Sequence, residues 1–220
     1  MKLIYSLQDP DNPNSLAQQM RRARAKRVVE LIVAAGPGAR ILDLGGEPDY
    51  WRLFDRKFLE DAMVKITLVN PQAFTVDDPL FEALQGDACA MDYPDNAFDL
   101  VHSNSVIEHV GDWPRMEAFA REARRLAPRY YVQTPYFWFP VEPHFSSLCF
   151  HWRSEQGRAR SLLRRRHGFA ERSPDMGQAM RDVQHARLLD KTQFRFLFPD
   201  ARHVDERFAG LTKSLIAIRG

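Results

Sequence analysis

Apolar and polar positions follow two alternating rhythms along this chain. Over 15–35 the apolar residues Leu16, Met20, Val28, Leu31 and Ile32 recur at helical spacing, Asn14 or Ser15 stands where an N-cap belongs, and Gly36 ends the run. The segment ARILDLGG at 39–46 then reads as a short buried strand entering a glycine turn, followed by a helical pattern through Trp51, Leu53, Phe54 and Phe58. Strand-like runs at 64–69, 81–84 and 98–102 are separated by loops rich in Pro, Asp and Asn. A helix is predicted over 115–126, closing at Pro128, and a fifth strand over 129–133, ending at Thr134-Pro135. Near the C-terminus 192–198 is helical, while 203–208 and 212–218 read as strands too closely linked to pair other than antiparallel.

Short apolar strands separated by helices or long crossovers predict an α/β fold. The expected architecture is a doubly wound, mostly parallel seven-stranded sheet with a C-terminal antiparallel hairpin, Rossmann-like in plan. A single domain is expected over 1–220, with 1–38 a helical cap and 154–187, rich in Arg, Gln, Ser and Gly, an inserted helical and basic excursion.

Composition narrows the class without naming a function. At 45% hydrophobic, 27% charged and a formal charge of +2, the 220 residues describe an ordinary globular chain, not a disordered or dedicated nucleic-acid-binding one. The opening MKLIYSLQDPDNP reaches Gln8, Asp9 and Asp11 before a signal-type apolar run, and charges interrupt every hydrophobic segment, so neither export nor membrane insertion is expected. Cys89 and Cys149 are too far apart for a CxxC redox or zinc motif and provide no disulfide framework; a cytoplasmic protein with no metal site is the expectation.

In an open α/β sheet ligands bind beyond the carboxyl ends of the strands, and chemistry-bearing residues of this chain follow its predicted strands. Asp43, Gly45 and Gly46 follow the first, Asn70 the second, Asp87 the third, Ser103 and Asn104 the fourth, and 134–144 the fifth. The turn GGEPDY at 45–50 fails the GxGxxG pattern, and Glu47 with Asp49 would place negative charge against a pyrophosphate, which disfavours a nicotinamide dinucleotide. The same acidity suits a cofactor bearing a sulfonium and an ammonium group. No GxxxxGK[ST] occurs.

The segments ARILDLGGEPDYW, ITLVNPQ, LQGDACAMDYPDNAFDLVHSNSVIEHV and RYYVQTPYFWFPVEPHF, in that order, resemble class I S-adenosylmethionine-dependent methyltransferases of the methyltransferase type 11 kind, and FPDARHVDERFAGLTKSLIAIR resembles the closing elements of that fold. The resemblance implies S-adenosylmethionine as cofactor. It assigns Asp43, Gly45 and Gly46 to the methionine end, Asn70 to the ribose hydroxyls, Asp87 with the Ala88 backbone to adenine, and Ser103 or Asn104 to the methionine amino group. Two positions depart from the pattern: Asn70 stands where the family has an acidic residue, and Pro48 or Asp49 where it has a third glycine. Asn70 still accepts one hydrogen bond and donates another, or it serves only as a turn-former before Pro71.

Methyl transfer from a sulfonium needs alignment and exclusion of water, and an alcohol acceptor also needs a base. The catalytic candidates are His109, Glu142 and His144, each with a purely structural alternative. Tyr136, Phe137, Trp138, Phe139 and Pro140 are expected to be part acceptor wall and part core. Arg158, Arg160, Arg164, Arg165 and Arg166 form either a solvated helix face or an anion contact, whereas Arg21, Arg22, Arg24, Lys26 and Arg27 are expected on the outer side of a first helix that could act as a lid. A wall read as aromatic and acidic, with no long basic groove, favours a small-molecule or glycan-like acceptor over nucleic acid. A non-catalytic cofactor-binding regulator and an NAD-dependent oxidoreductase are the alternatives, and the sequence assigns no acceptor atom and no oligomeric state. Gly45→Val is expected to fill the cofactor's approach while sparing the fold.

Overall fold

The computed structural model describes residues 16–168 and 170–220. The suggested caps Asn14 and Ser15 lie outside the described residues. Helix α1 (Leu16–Ala35) ends as expected at Gly36, whose φ of 91° is a left-handed stop. Strand β1 (Arg40–Leu44) leads through the glycine turn into two short helices, α2 (Pro48–Trp51) and α3 (Arg56–Asp61), rather than one. The break follows from Asp55, whose side chain accepts from the Lys57 backbone N–H and starts a new helix.

The remaining elements are β2 (Lys65–Asn70), β3 (Phe81–Gln85), β4 (Leu100–Asn104), α4 (Trp113–Arg125), β5 (Tyr130–Pro135), a two-stranded ribbon of β6 (Val141–Glu142) and β7 (Ser147–Leu148), α5 (Glu155–Arg164), α6 (Met176–Gln184), α7 (Lys191–Leu197), β8 (Arg202–Phe208) and β9 (Leu211–Arg219). The fourth strand begins two residues later than the pattern at 98–102 suggests, because Leu100 pairs with Ile41.

Seven strands form one sheet in the order β3-β2-β1-β4-β5-β9-β8. The first five pair parallel, while β9 pairs antiparallel with β5 and, as the short 209–210 link requires, with β8. Both faces are covered, and successive side chains alternate between two cores. Leu42, Leu44, Val101, Tyr130, Val132, Leu215 and Ala217 pack with Phe119, Ala123, Phe194 and Phe198 from α4 and the α7 region. Ile41, Ile66, Leu68, Leu100, Tyr131, Ile216 and Ile218 pack on the opposite face with Val28, Ile32, Trp51 and Leu59. The order reverses between β1 and β4, so the loops after these strands diverge and open a crevice.

Two smaller features bear on the site. Phe145 and Phe150 form a satellite core with Ala159 and Leu162 of α5 and Ala179 and Val183 of α6. Arg24 does not lie on the outer side of α1 with its basic neighbours: it is buried, donating to Glu206 Oε1 (2.8 Å), Asn104 Oδ1 (3.0 Å) and Gln133 Oε1 (3.1 Å). Its place in the helix explains this, since it falls midway between the buried Met20 and Val28, four residues from each, on the inward stripe. Among the described residues no helix is long and apolar enough to cross a membrane.

Candidate functional site

Three cavities lie in a chain along the carboxyl edge of the sheet. The middle one, about 350 Å³, is lined by Arg21, Asp43, Gly45, Gly46, Glu47, Asp49, Tyr50, Leu53, His102, Asn104, Ser105 and Val106. On one side it shares Glu47 and Asp49 with a cavity of about 430 Å³ whose wall includes Asn70 and 71–74. On the other it shares Arg21, Asn104 and Ser105 with one of about 310 Å³ lined also by Arg24, Gln133, Tyr136, Phe139 and Lys213.

Local folding sets each of these side chains. Asp43 sits on the α1 face of the sheet, buried, where Oδ1 accepts from His102 Nδ1 (2.6 Å) and Oδ2 from Trp51 Nε1 (2.8 Å). Its carboxylate is therefore fixed in place, and each oxygen keeps a further lone pair toward the cavity. Gly45 has φ 73°, and a Cβ there would stand 2.5 Å from Val106 Cγ2; a Cβ on Gly46 would stand 2.2 Å from the Asp43 carboxylate. Gly45 is demanded by contact with the β4 loop and Gly46 by the Asp43 side chain, so Gly45→Val disturbs the fold itself, contrary to the expectation that it would be spared. Asn70 donates from Nδ2 to the Gly46 carbonyl (2.7 Å), bracing the turn and leaving Oδ1 as an acceptor at the end of β2. Ser105 holds an unusual left-handed conformation, φ 59°, while its Oγ donates to Gln133 Oε1 (3.0 Å).

The structure thus brings Asp43, Gly45, Gly46 and Asn104 to one cavity and Asn70 to its neighbour. Ser103 is buried and donates to the Leu44 carbonyl (3.0 Å), bracing β4 to β1 behind the cavity wall. Asp87 accepts two hydrogen bonds from Arg115, both 2.8 Å, and another from the Cys89 backbone; Arg115 holds its carboxyl below the usual range. Ala88 packs against the core beside it. Sequence reasoning missed Arg21, Tyr50, His102, Ser105 and Lys213. The helical and strand positions of these residues offered no motif, and only the closed sheet places them on one edge.

The catalytic candidates come together elsewhere. His144 Nδ1 donates to Glu142 Oε1 (2.7 Å), and its Nε2 lies 3.1 Å from His109 Nε2. In the two-residue-period ribbon, Glu142 and His144 face a cavity of about 740 Å³ walled by α5, α6 and 171–174, whereas Val141 and Pro143 face the 310 Å³ cavity. The acidic part of the expected acceptor wall is therefore on the larger cavity. The smaller one beside the crevice is aromatic and basic. Phe137 lines the larger cavity, Phe139 the smaller, and Trp138 is exposed. Of the arginine cluster, Arg158 reaches the larger cavity, while Arg160, Arg164, Arg165 and Arg166 are exposed.

The middle cavity fits the donor implied by the resemblance. Its wall presents the three carboxylates of Asp43, Glu47 and Asp49 to a cation, and two of its side chains keep buried polar atoms without a partner, His102 Nε2 and the Tyr50 hydroxyl. Residues 58–129 match the family model for the methyltransferase domain. No curated protein matches the chain. Similar solved structures include a SAM-dependent methyltransferase from Aquifex aeolicus (11% identity, TM-score 0.50, covering 99% of this chain and 96% of that one). The N-methyltransferase NodS from Bradyrhizobium japonicum, solved with S-adenosyl-L-homocysteine, is similar at 12% identity and TM-score 0.50, covering 99% and 96%. The 1,6-didemethyltoxoflavin-N1-methyltransferase from Burkholderia thailandensis is similar at 16% identity and TM-score 0.52, covering 99% and 84%. These likenesses show the fold, residues 58–129 match a methyltransferase domain, and the acidic crevice lies at the strand-order reversal, where an open α/β sheet takes its ligand.

Proposed function

We propose that the chain methylates a small-molecule or glycan-like acceptor seated in the 310 Å³ cavity, with S-adenosylmethionine across the 350 and 430 Å³ cavities. The observation that carries this reading is the adjacency of the three cavities, which share the wall residues Glu47, Asp49, Arg21, Asn104 and Ser105. When bound, the cofactor supplies an electrophilic methyl carbon on a sulfonium that becomes a neutral thioether on transfer.

The residues divide the remaining work. Asp43, Glu47 and Asp49 favour the cationic end, and Arg21, which has no ion pair among the described residues, faces the amino-acid carboxylate. Asn70 Oδ1 accepts from a ribose hydroxyl. Tyr136 and Phe139 give the acceptor an apolar wall that excludes water, a composition suited to a sugar face or a small ring. Lys213 is the proton acceptor there, because burial, and then the nearby charge of Arg24, lower its pKa from the usual lysine value.

Calorimetry on Asp49→Lys tests the donor placement. The lysine should weaken S-adenosylmethionine binding by several-fold and S-adenosylhomocysteine, which lacks the sulfonium charge, by less. Wild-type protein that is folded yet binds neither compound, or equal losses for both in the variant, would overturn the placement.

A further inference from the structure

Glu108, His109 and His144 each offer one ligand atom, and these atoms all lie within 4.8 Å of one another. Their surroundings dictate which atoms are free. His109 Nδ1 lies 3.1 Å from the His185 carbonyl, which can only accept, so the proton is on Nδ1 and the Nε2 lone pair is unprotonated. His144 Nδ1 faces the Glu142 carboxylate and must likewise donate; Glu142 is itself held by the Phe145 backbone N–H through its other oxygen. Both imidazoles are therefore oriented from behind, one by a carbonyl and one by a carboxylate, and their Nε2 atoms face each other at 3.1 Å. Two lone pairs at that distance repel unless a proton or a metal ion lies between them. Glu108 is fully buried; Oε2 accepts from Thr134 (2.9 Å), while Oε1 has no partner.

We propose that Glu108, His109 and His144 bind a divalent transition-metal ion of the zinc class. With metal–nitrogen bonds of roughly 2.0–2.1 Å, the two facing Nε2 atoms subtend an angle of roughly 95–100°, and an adjustment on the order of 1 Å by the Glu108 side chain completes a three-ligand set. Two imidazoles with one carboxylate suit zinc, cobalt or iron and disfavour magnesium, which takes oxygen ligands. The outer partners Glu142 and the His185 carbonyl are of the kind that orient metal-binding histidines. Because His144 also lines the 740 Å³ cavity, a fourth position is open toward water or an oxygen donor from that side. The site stands independently of the methyl-transfer reading, since none of its three ligands lines the donor crevice.

The experiment is a Co²⁺ titration of tag-free, chelator-treated protein, followed by visible absorption and displaced by Zn²⁺. One equivalent per chain with ligand-field bands is expected, with a loss of affinity of about 10- to 100-fold in Glu142→Gln and a larger loss in His109→Ala and His144→Ala. Each variant is checked by circular dichroism. Should an alanine variant fail to fold, histidine ring NMR of the wild-type chain replaces it, and Zn²⁺ must shift the Nε2 signals of both His109 and His144. No stoichiometric Co²⁺ binding, binding unchanged in the folded alanine variants, or Zn²⁺ shifts confined to other histidines would each overturn the proposal.

Discussion

The donor crevice and the large cavity are built in different ways. The crevice sits where β1 and β4 part, and its walls are turns braced by the sheet: Asp43 by Trp51 and His102, Asn70 by the Gly46 carbonyl, Ser105 by Gln133. The large cavity lies between the β6–β7 ribbon, α5 and α6, which rest on their own small core of Phe145, Phe150, Ala159, Leu162, Ala179 and Val183. The first region draws its rigidity from long parallel pairing buried on both faces. The second depends on six principal side chains and on polar contacts such as His167 to Ser147 and Ser161. A sheet edge preserves the geometry needed for one cofactor, whereas a separately packed cap is free to adopt whatever lining its own ligand requires.

Electrostatics separates the two regions as well. In the Glu108–His109–His144 cluster beside the large cavity, burial pushes the Glu108 carboxyl up to about 7, and burial together with His144 pushes His109 down to about 4. Burial also opposes charge on His144, but the hydrogen bond and charge of Glu142 prevail and hold it above the usual histidine value. Behind the neighbouring 310 Å³ cavity charge is instead locked, in the buried Arg24–Glu206 pair that ties α1 to β8.

That lock provides the sharpest way to break the comparison. Arg24→Met leaves Glu206 buried and unpaired and should cost about 3–5 kcal/mol in urea unfolding, with Arg24→Met/Glu206→Leu recovering most of it. A loss below about 1 kcal/mol would mean that α1 is not fastened to the sheet edge. Next in size, Lys213→Gln should lower kcat/KM about 100-fold. In the wild type, activity should rise with pH through a value below the usual lysine pKa, since a base works only when deprotonated, and that rise should vanish in the variant. An unchanged pH profile would remove Lys213 from the acceptor site.

Gly45→Ala tests whether the crevice turn is shaped by contact with Val106. Left-handed strain and the close Cβ approach should destabilise the chain by about 1–3 kcal/mol, and adding Val106→Ala should restore the part due to the clash. Purely additive losses in thermal unfolding would show that the clash is absent. Smallest of all, Arg115→Ala should change stability by under about 1 kcal/mol, because the pair with Asp87 is nearly half exposed. It sharpens the assignment of Asp87 all the same: if that carboxylate reaches adenine once released from Arg115, calorimetry will record tighter cofactor binding, and an unchanged affinity leaves Asp87 as a partner of Arg115 alone.

Much of this molecule is written in local pattern. The apolar strands, Gly36, the glycines after β1 and the closely linked final strands determine a parallel sheet with an antiparallel end, because burial on both faces and the reach of a short turn are properties of neighbouring residues. The loops after the strands of such a sheet diverge at one edge, which is why Asp43, Gly45, Gly46, Asn70 and Asn104 could be placed on that edge from the sequence. Tertiary structure alone decided the rest. It placed Arg24 inward, took up the hydroxyl of Ser103 and the carboxylate of Asp87, turned Glu142 and His144 away from Val141 and Pro143, and set His109 against His144, 35 residues apart. Such pairings depend on which distant partner packs against a side chain, and contacts between residues remote in the chain leave no periodicity in it.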